Sequence, residues 1–395
     1  MSQNRKTLGL YIHVPFCAHK CAYCDFYSIT NEDLVQEYTA AIIAHIRKHK
    51  RMAKDRTVDS IFFGGGTPSI LPVKSFTEIM ETIYDVFDVS KTAEITVEAN
   101  PGTLDGEKLA AYREIGVNRL SIGLQSADDR ELTMLSRIHT RDEFEDSYML
   151  ARMEGFTNIN VDIIYGLPNQ TMEKLISTLE YVISIHPEHI SFYGLSIEPN
   201  TPFGRNKNIG KLLPDEDTQC DMYLTSCKIL ENAGYLQYEI SNFAKKDYGC
   251  RHNIKYWTGK EYLSFGPSAT SFIENMEYKY VPDIERYISC MKNESDIREE
   301  EYVFSEEELE TRFLMTCFRL RAGINLKEYA RRFGDHFEEK YGERIAPFIE
   351  RGDIVKTQHG YRITRHGMLI SNFVLSSILN LLPEDFEGYE DDFIE

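Results

Sequence analysis

The sequence has no long apolar run and little positive charge. Its longest apolar stretch, residues 369–382, is broken by serine and asparagine and is too short to cross a bilayer. The first ten residues contain no apolar segment of the signal-peptide type. Lys and Arg number 44 against 63 Asp and Glu, a formal net charge of −19, which repels nucleic acid and anionic lipid over most of the surface. We therefore expect a cytoplasmic protein that binds no nucleic acid.

The sequence also lacks a fourth cysteine where three others crowd together. Cys17, Cys21 and Cys24 lie within eight residues, whereas the remaining five cysteines are scattered and suit small buried side chains. A closed structural zinc site needs four ligands, and a four-iron cluster usually takes four thiolates. Three thiolates would leave one iron with an open coordination position, where a small molecule can bind. Three core cysteines that are close by chance are the less favoured interpretation.

Short apolar runs rich in Ile, Val, Phe and Tyr recur along the first half of the chain. They cover residues 8–14, 60–65, 94–99, 119–125, 158–168 and 189–196, with helical periodicity in most of the gaps. This alternation predicts parallel βα units, in a doubly wound sheet or a partial barrel. The cysteines, the GGGTPS turn, Glu98 and Gln125 come at the ends of runs, and Asp162 lies inside the fifth. Since active sites of α/β barrels form at the carboxyl ends of strands, we expect these residues to share one pocket.

The alternation weakens in the second half of the chain, where further segments are predicted. The expected divisions are a barrel domain at 1–210, a barrel extension at 211–300, a small C-terminal domain at 301–383 and an acidic, disordered tail at 384–395. In the C-terminal domain helical patterns precede a short hairpin at 352–364, an order that resembles a winged helix. The acidic stretch 297–309 is interpreted as a linker or a helix start. An accessory domain is favoured over DNA binding, because the local excess of basic residues is small.

The stretch YIHVPFCAHKCAYCDF, residues 11–26, resembles the radical S-adenosylmethionine (SAM) superfamily, and within it the oxygen-independent coproporphyrinogen III oxidases and their relatives. The resemblance covers nearly the whole chain. It implies an α/β fold, a partial (β/α)6 barrel with a small helical, winged-helix-like C-terminal domain. It also implies a [4Fe–4S] cluster bound by Cys17, Cys21 and Cys24, whose open iron takes SAM. The residues that the resemblance assigns to SAM are Tyr11, Gly65, Gly66, Thr67, Glu98, Gln125, Arg137 and Asp162. Without these motifs, the glycines would be interpreted as a tight turn and the charged residues as surface groups.

Two departures separate this chain from the oxidases of that family. The oxidases resemble C-x3-C-x2-C-x-C, but Phe26 stands at the place of their last cysteine. They also have an N-terminal extension, whereas only sixteen residues precede Cys17 here. We therefore do not expect coproporphyrinogen oxidase activity.

The stretch RHNIKYW, residues 251–257, resembles the H-N-x-x-Y-W motif of the haem-binding HemW branch of the family. This implies that His252 ligates haem iron and that Tyr256 and Trp257 flank the porphyrin. A structural histidine beside a core tryptophan is the alternative interpretation, and Cys250 is a lower-ranked iron ligand.

The resemblance to this branch implies a haem chaperone. Such a protein binds haem and transfers it to acceptor haemoproteins such as respiratory cytochromes, with membrane respiratory proteins among its partners. The cluster and SAM would regulate or drive transfer, and a homodimer is considered. Two alternatives stay open: the oxidase, and a radical SAM methyltransferase or haem-degrading enzyme. Whether the protein is an enzyme is also open.

Overall fold

In the computed structural model, which describes residues 5–381, parallel strands alternate with helices along the first half of the chain. The strands are β1 (Lys6–Val14), β2 (Arg56–Gly65), β3 (Val89–Ala99), β4 (Arg119–Gln125), β5 (Ile159–Tyr165) and β6 (His189–Gly194). The helices are α1 (Val35–Lys48), α2 (Val73–Val86), α3 (Gly106–Glu114), α4 (Asp129–Met134), α5 (Arg141–Met153) and α6 (Met172–Ser184). The six strands lie side by side in chain order and pair parallel. The predicted fold, a partial (β/α)6 barrel, is confirmed, and the carboxyl ends of its strands meet at one edge.

The side chains of β1 form two different faces of the sheet. Successive side chains of a strand point to opposite sides, so alternate residues meet different surroundings. One face is wholly buried and apolar: Leu8, Leu10, Ile12 and Val14. On the other face Tyr11 stacks on Phe62 of β2, with ring centroids 6.2 Å apart. This second face lines the barrel interior and carries the polar residues discussed below.

The chain beyond β6 extends the sheet at both ends. The added elements are α7 (Pro202–Arg205), α8 (Glu216–Asn232), β7 (Leu236–Gln237), β8 (Asn242–Ala244), α9 (Arg251–Trp257), β9 (Tyr262–Phe265), β10 (Thr270–Ile273), β11 (Met276–Tyr280), α10 (Ile284–Lys292) and β12 (Arg298–Val303). β8 pairs antiparallel with β6, β9 pairs parallel with β1, and β10 to β12 follow antiparallel. The described residues from 5 to 256 and Lys260–Phe304 form one compact unit. The prediction of a linker at 297–309 is wrong for the first part of this stretch, which forms the exposed strand β12.

A second compact unit contains Trp257–Gly259 and the described residues from 305 to 381. Its elements are α11 (Glu306–Cys317), β13 (Ile324–Asn325), α12 (Leu326–Phe333), α13 (Phe337–Glu350), β14 (Ile354–Lys356), β15 (Gly360–Ile363), α14 (Arg365–Leu369) and α15 (Ser371–Ile378). β14 and β15 form the hairpin predicted at 352–364, and β13 adds to it as a third strand. The predicted acidic tail, 384–395, lies outside the described residues. Among the helices of residues 5–381, none combines the length and apolarity that a membrane crossing requires.

Candidate functional site

The three clustered cysteines lie on a loop that follows β1 and is closed at its base. The Ile29 amide donates to the Pro15 carbonyl over 2.7 Å, and the Cys17 amide donates to the Ile29 carbonyl over 2.9 Å. Cys17, Cys21 and Cys24 are free and half-buried. The loop therefore holds three available thiols at the carboxyl edge of the barrel.

The glycine turn after β2 packs directly against this loop. The Gly66 amide donates to the Val14 carbonyl over 2.8 Å. A Cβ atom at Gly66 would lie 2.6 Å from the Phe16 carbonyl oxygen and 3.0 Å from Cys17 Sγ. Gly65 has a φ of +111°, which a side chain would strain. Only glycine lets the two segments approach this closely.

A chain of polar side chains joins the turns after β2 and β3 to the segment beyond β4. Thr67 Oγ1 donates to Cys17 Sγ over 3.6 Å and accepts from Asn100 Nδ2 over 2.8 Å. Arg137 Nη1 donates to Asn100 Oδ1 over 2.9 Å, and the Arg137 guanidinium also donates to Cys21. Two of the three thiols are thus reached by hydrogen-bond donors.

Arg137 and Gln125 converge on a space left by Gly123. A Cβ atom at Gly123 would lie 2.6 Å from Arg137 Nη2 and 2.8 Å from Gln125 Nε2. Arg137 Nε is buried and has no hydrogen-bond partner among residues 5–381. Since a buried donor without a partner is costly, this cradle suits a ligand that accepts a hydrogen bond.

Glu98 and Asp162 bring two carboxyl groups into the barrel interior. Glu98 Oε2 accepts from the Gly65 amide over 3.2 Å, and burial, with the nearby Asp162 charge, raises the pKa of Glu98 to about 8. Asp162 accepts from Asn160 Nδ2 over 2.8 Å and from Ser121 Oγ over 3.2 Å. Burial also raises the pKa of Asp162. A cationic ligand placed here would relieve the repulsion between the two groups.

The cysteine loop suits an iron–sulfur cluster rather than a single ion. Within the described part of the chain, no three His, Cys, Asp or Glu side chains converge closely enough to hold one metal ion. A four-iron cluster has a different requirement, because each thiolate binds a separate iron. Burial, with the neighbouring Cys17 and Cys21, raises the pKa of Cys24. Thr67 and Arg137 donate hydrogen bonds to the other two sulfurs, those of Cys17 and Cys21. The residues present therefore fit such a cluster.

His252 is buried in the barrel interior with both ring nitrogens engaged. Its Nδ1 lies 3.0 Å from Ser60 Oγ and its Nε2 lies 2.8 Å from the Tyr256 hydroxyl oxygen. Its ring stacks on Phe62 with centroids 5.3 Å apart. Burial lowers the pKa of His252 to about 3, so the imidazole is neutral at physiological pH. In this conformation the Tyr256 hydroxyl occupies the position that an iron atom would need at Nε2.

Glu94 of β3 anchors the first turn of α9 inside the barrel. Its carboxylate accepts from the Arg251 amide over 3.1 Å and from the His252 amide over 3.0 Å. The Cys250 thiol donates to the same carboxylate over 3.6 Å. Burial raises the pKa of Cys250 to about 12, so this cysteine stays protonated and is poorly suited to bind iron.

The residues assigned to haem do not share one compact unit. Tyr256 belongs to the first unit and packs edge-on against Tyr262, with ring centroids 4.5 Å apart. Trp257 belongs to the second unit, where its carbonyl accepts from Cys317 Sγ over 3.3 Å. His252 and Tyr256 are thus neighbours, whereas Trp257 has different surroundings.

Tyr11 lies between the residues assigned to SAM and those assigned to haem. Its ring stacks on the ring of His252 with centroids 6.4 Å apart, and its hydroxyl oxygen lies 3.3 Å from His13 Nδ1. Burial, with the charge of Glu98, raises the pKa of Tyr11. The residues predicted to bind SAM and those predicted to bind haem are therefore neighbours, with the ring of Tyr11 between them.

Sequence reasoning missed Asn100, Glu94 and Arg119. Asn100 follows Glu98 in EANP, so the rule that selected strand-end residues would also have selected it. Glu94 opens an apolar run and Arg119 opens the next, and a charge inside such a run indicates a buried partner, as it did for Asp162. Arg119 is only 2% exposed, and the nearby Glu94 supports its charge.

Comparison with known families agrees with this geometry. The model of the radical SAM superfamily matches residues 11–182, and the model of the HemN C-terminal domain matches residues 304–370. Among solved structures, coproporphyrinogen III oxidase (HemN) from Escherichia coli, described as a radical SAM enzyme, superposes with a TM-score of 0.84. That match covers 96% of this chain and 91% of the oxidase at 22% identity, so it shows the fold alone.

Curated relatives match over nearly the full length of the chain. The "Heme chaperone HemW" of Haemophilus influenzae is 34% identical, over 94% of this chain and 98% of the relative. The protein of the same name from Bacillus subtilis is 34% identical, over 94% and 99%. The one from Escherichia coli is 32% identical, over 94% and 98%.

Proposed function

The chain belongs to the HemW family within the radical SAM superfamily, and from this membership we propose that it is a haem chaperone. It binds haem and passes it to acceptor haemoproteins, including respiratory cytochromes. The observation that carries the proposal is the similarity to curated haem chaperones over 94% of the chain. The H-N-x-x-Y-W sequence at residues 252–257 supports it.

A [4Fe–4S] cluster and SAM are the cofactors of the superfamily, and we propose Cys17, Cys21 and Cys24 as the cluster ligands. When bound, the cluster supplies one electron and an open iron position for SAM. The protein's part is to hold the three thiols together at the carboxyl edge of the barrel. Thr67 and Arg137 help to position two of them by donating hydrogen bonds to Cys17 and Cys21.

The cradle around the cysteine loop is proposed to hold SAM. The residues proposed are Tyr11, Gly65, Gly66, Thr67, Glu98, Gln125, Arg137 and Asp162. SAM carries a sulfonium and an amino group, both positive, and a carboxylate. The carboxyl groups of Glu98 and Asp162 suit the positive groups, and the unsatisfied Arg137 Nε suits a carboxylate acceptor.

Haem is proposed to bind at His252, with Tyr256 and Trp257 beside the porphyrin. The lowered pKa of His252 keeps its imidazole neutral, as iron ligation requires. Ligation through Nε2 requires the Tyr256 hydroxyl to move away, while Ser60 at Nδ1 continues to orient the ring. Haem loading is therefore coupled to a rearrangement of Tyr256. Because Tyr11 lies beside both His252 and Glu98, we propose that this ring relays the state of the SAM site to the haem.

An anaerobic haem titration of the cluster-containing protein tests the proposal. Wild type, His252→Ala and Tyr256→Phe are compared by their Soret absorbance and by haem transfer to an apo-cytochrome. We expect saturable binding and transfer in wild type and loss of both in His252→Ala. Tyr256→Phe removes the hydroxyl that covers Nε2, so it should bind haem at least as tightly as wild type.

The outcomes separate the parts of the proposal. A wild-type protein that binds no haem, or that binds haem and never releases it to the apo-cytochrome, would overturn the chaperone function. Transfer by His252→Ala at the wild-type rate would remove His252 from the site and leave the chaperone in place. An assay with coproporphyrinogen III is expected to yield no decarboxylated product.

A further inference from the structure

A continuous chain of hydrogen bonds runs from Asp162 to the start of α9, and the proposed function does not account for it. Asn160 of β5 and His189 of β6 are register partners on neighbouring strands. Asp162 lies two residues after Asn160 and therefore on the same face of β5. Asn160 is 1% exposed and His189 is wholly buried. Because buried polar groups are costly unless they are paired, the partners of these side chains define their orientation and protonation.

The Asn160 amide fixes which nitrogen of His189 carries the proton. Asn160 Nδ2 donates to Asp162 Oδ1 over 2.8 Å and to Ser121 Oγ over 2.7 Å. The amide oxygen of Asn160 therefore faces His189, whose Nδ1 lies 2.6 Å away. Since an amide oxygen only accepts, Nδ1 is protonated and Nε2 is left as an acceptor. Burial, with the nearby charge of Arg119, lowers the pKa of His189, which keeps the ring in this neutral form.

Tyr238 completes the chain to α9. Its hydroxyl oxygen lies 2.8 Å from His189 Nε2 and donates to it, because this nitrogen only accepts. The same oxygen accepts from the Cys250 amide over 3.3 Å. Cys250 directly precedes α9, whose first turn contains His252. Every donor from Cys250 to Asp162 thus points toward the Asp162 carboxyl group, and hydrogen bonds in such a chain polarise one another.

The charge of Asp162 determines how strong this chain is. Burial raises the pKa of Asp162 and so disfavours its carboxylate form. A positively charged ligand beside Asp162 would favour the carboxylate. Hydrogen bonds to an ionised group are about twice as strong as those between neutral groups. A cation at Asp162 would therefore strengthen each bond back to the Cys250 amide.

We propose that Asn160, His189 and Tyr238 are positioning residues that couple SAM binding to the order of α9. With SAM bound, its positive groups hold Asp162 as a carboxylate, and the chain holds the first turn of α9 in place. That turn contains His252, the proposed haem ligand. The inference rests on the proposed SAM site. It differs from the stacking of Tyr11 on His252, because the chain acts through the backbone at the start of α9.

Hydrogen–deuterium exchange of the full-length, cluster-containing protein tests the coupling without haem. Exchange in peptides that cover residues 250–257 is measured with and without saturating SAM in wild type, Tyr238→Phe, His189→Phe and Tyr235→Phe. We expect SAM to slow this exchange at least about threefold in wild type, because it strengthens the hydrogen bonds that hold the turn. Tyr238→Phe and His189→Phe break the chain and should lose the slowing. Tyr235→Phe is the matched control and should keep it, because the buried Tyr235 hydroxyl donates to the Pro187 carbonyl, outside the chain.

The possible failures are distinguishable, because equilibrium dialysis measures SAM binding on the same samples. If wild type binds SAM without slowing exchange, or if Tyr238→Phe keeps the full slowing, the coupling is wrong and the chaperone proposal stands. Loss of the slowing in Tyr235→Phe would also overturn the coupling, because the effect would not be specific to the chain. If wild type binds no SAM, the SAM site and the coupling both fall, and haem transfer still decides the chaperone function. Tyr238→Phe removes a single oxygen atom, so it tests the chain even if His189→Phe fails to fold.

Discussion

The buried carboxyl group of Glu98 lies near that of Asp162, and protonation of Glu98 contributes to the stability of the fold. Its folded-state pKa of about 8 lies above the ordinary 4.5, so the unfolded chain loses this proton first as the pH rises. The contribution is fully favourable below about pH 4.5 and is lost progressively up to about pH 8. We expect Glu98→Gln to abolish this loss, which amounts to roughly 2–4 kcal/mol. Urea unfolding of the apoprotein across this pH window measures it, and Glu180→Gln serves as a surface control. Parallel pH curves for Glu98→Gln and wild type would contradict the prediction.

Gly66 is the point at which the cysteine loop and the glycine turn touch. Gly66→Ala places a methyl group 2.6 Å from the Phe16 carbonyl oxygen and 3.0 Å from Cys17 Sγ, so the loop must shift. We expect lower iron and sulfide content after reconstitution, and a destabilisation of roughly 1–3 kcal/mol. Gly210→Ala is the matched control, because nothing lies within 4 Å of the added methyl group. If Gly66→Ala binds as much iron and sulfide as wild type, the loop can shift without losing the cluster, and the prediction is wrong.

The helix α9 depends on one carboxylate from a neighbouring strand. Glu94→Ala leaves the Arg251 and His252 amides without their acceptor and removes the charge that supports Arg119. Since a buried donor left without a partner costs about 1–3 kcal/mol, we expect a loss of roughly 2–4 kcal/mol of unfolding free energy. Glu94→Gln keeps one oxygen acceptor and should fall between Glu94→Ala and wild type. Chemical denaturation of the three proteins checks this order, and an unchanged Glu94→Ala would refute the anchoring role.

Elements with a local pattern could be predicted, and those that depend on distant pairing could not. The fourth predicted strand, 119–125, agrees with β4, because every residue of that strand is buried and the run ends in a turn. β9 is only four residues long and pairs with β1, far away in the chain, so no local pattern identifies it. β12 is an acidic edge strand whose charges face solvent, so the sequence of 297–309 indicates a linker or a helix start, and only the start of α11 at Glu306 agrees with it. The candidate site also has parts that a local sequence pattern predicts and parts that depend on contacts between distant residues. The cysteines are adjacent in sequence, whereas the links from Asn100 to Thr67 and from Glu94 to α9 exist only after folding.

At the scale of the whole molecule, every residue proposed for the cluster and for SAM lies in the first compact unit. We therefore expect a chain that ends at Phe304 to incorporate iron and sulfide in the same ratio to protein as the full chain. Trp257 would then lack its neighbour Cys317, so its fluorescence should shift to longer wavelength. Iron analysis and emission spectra of the two chains measure both effects. A truncated chain that takes up no iron would show that the second unit is needed to form the cluster loop.

The position of Trp257 also gives the protein two separate optical reporters. It is the only tryptophan in the chain, and it belongs to the second unit, whereas the cysteine loop belongs to the first. Tryptophan emission therefore follows the melting of the second unit, and the visible colour of a bound cluster follows the integrity of the first. One denaturation experiment with both signals would show whether the two units unfold together or one after the other.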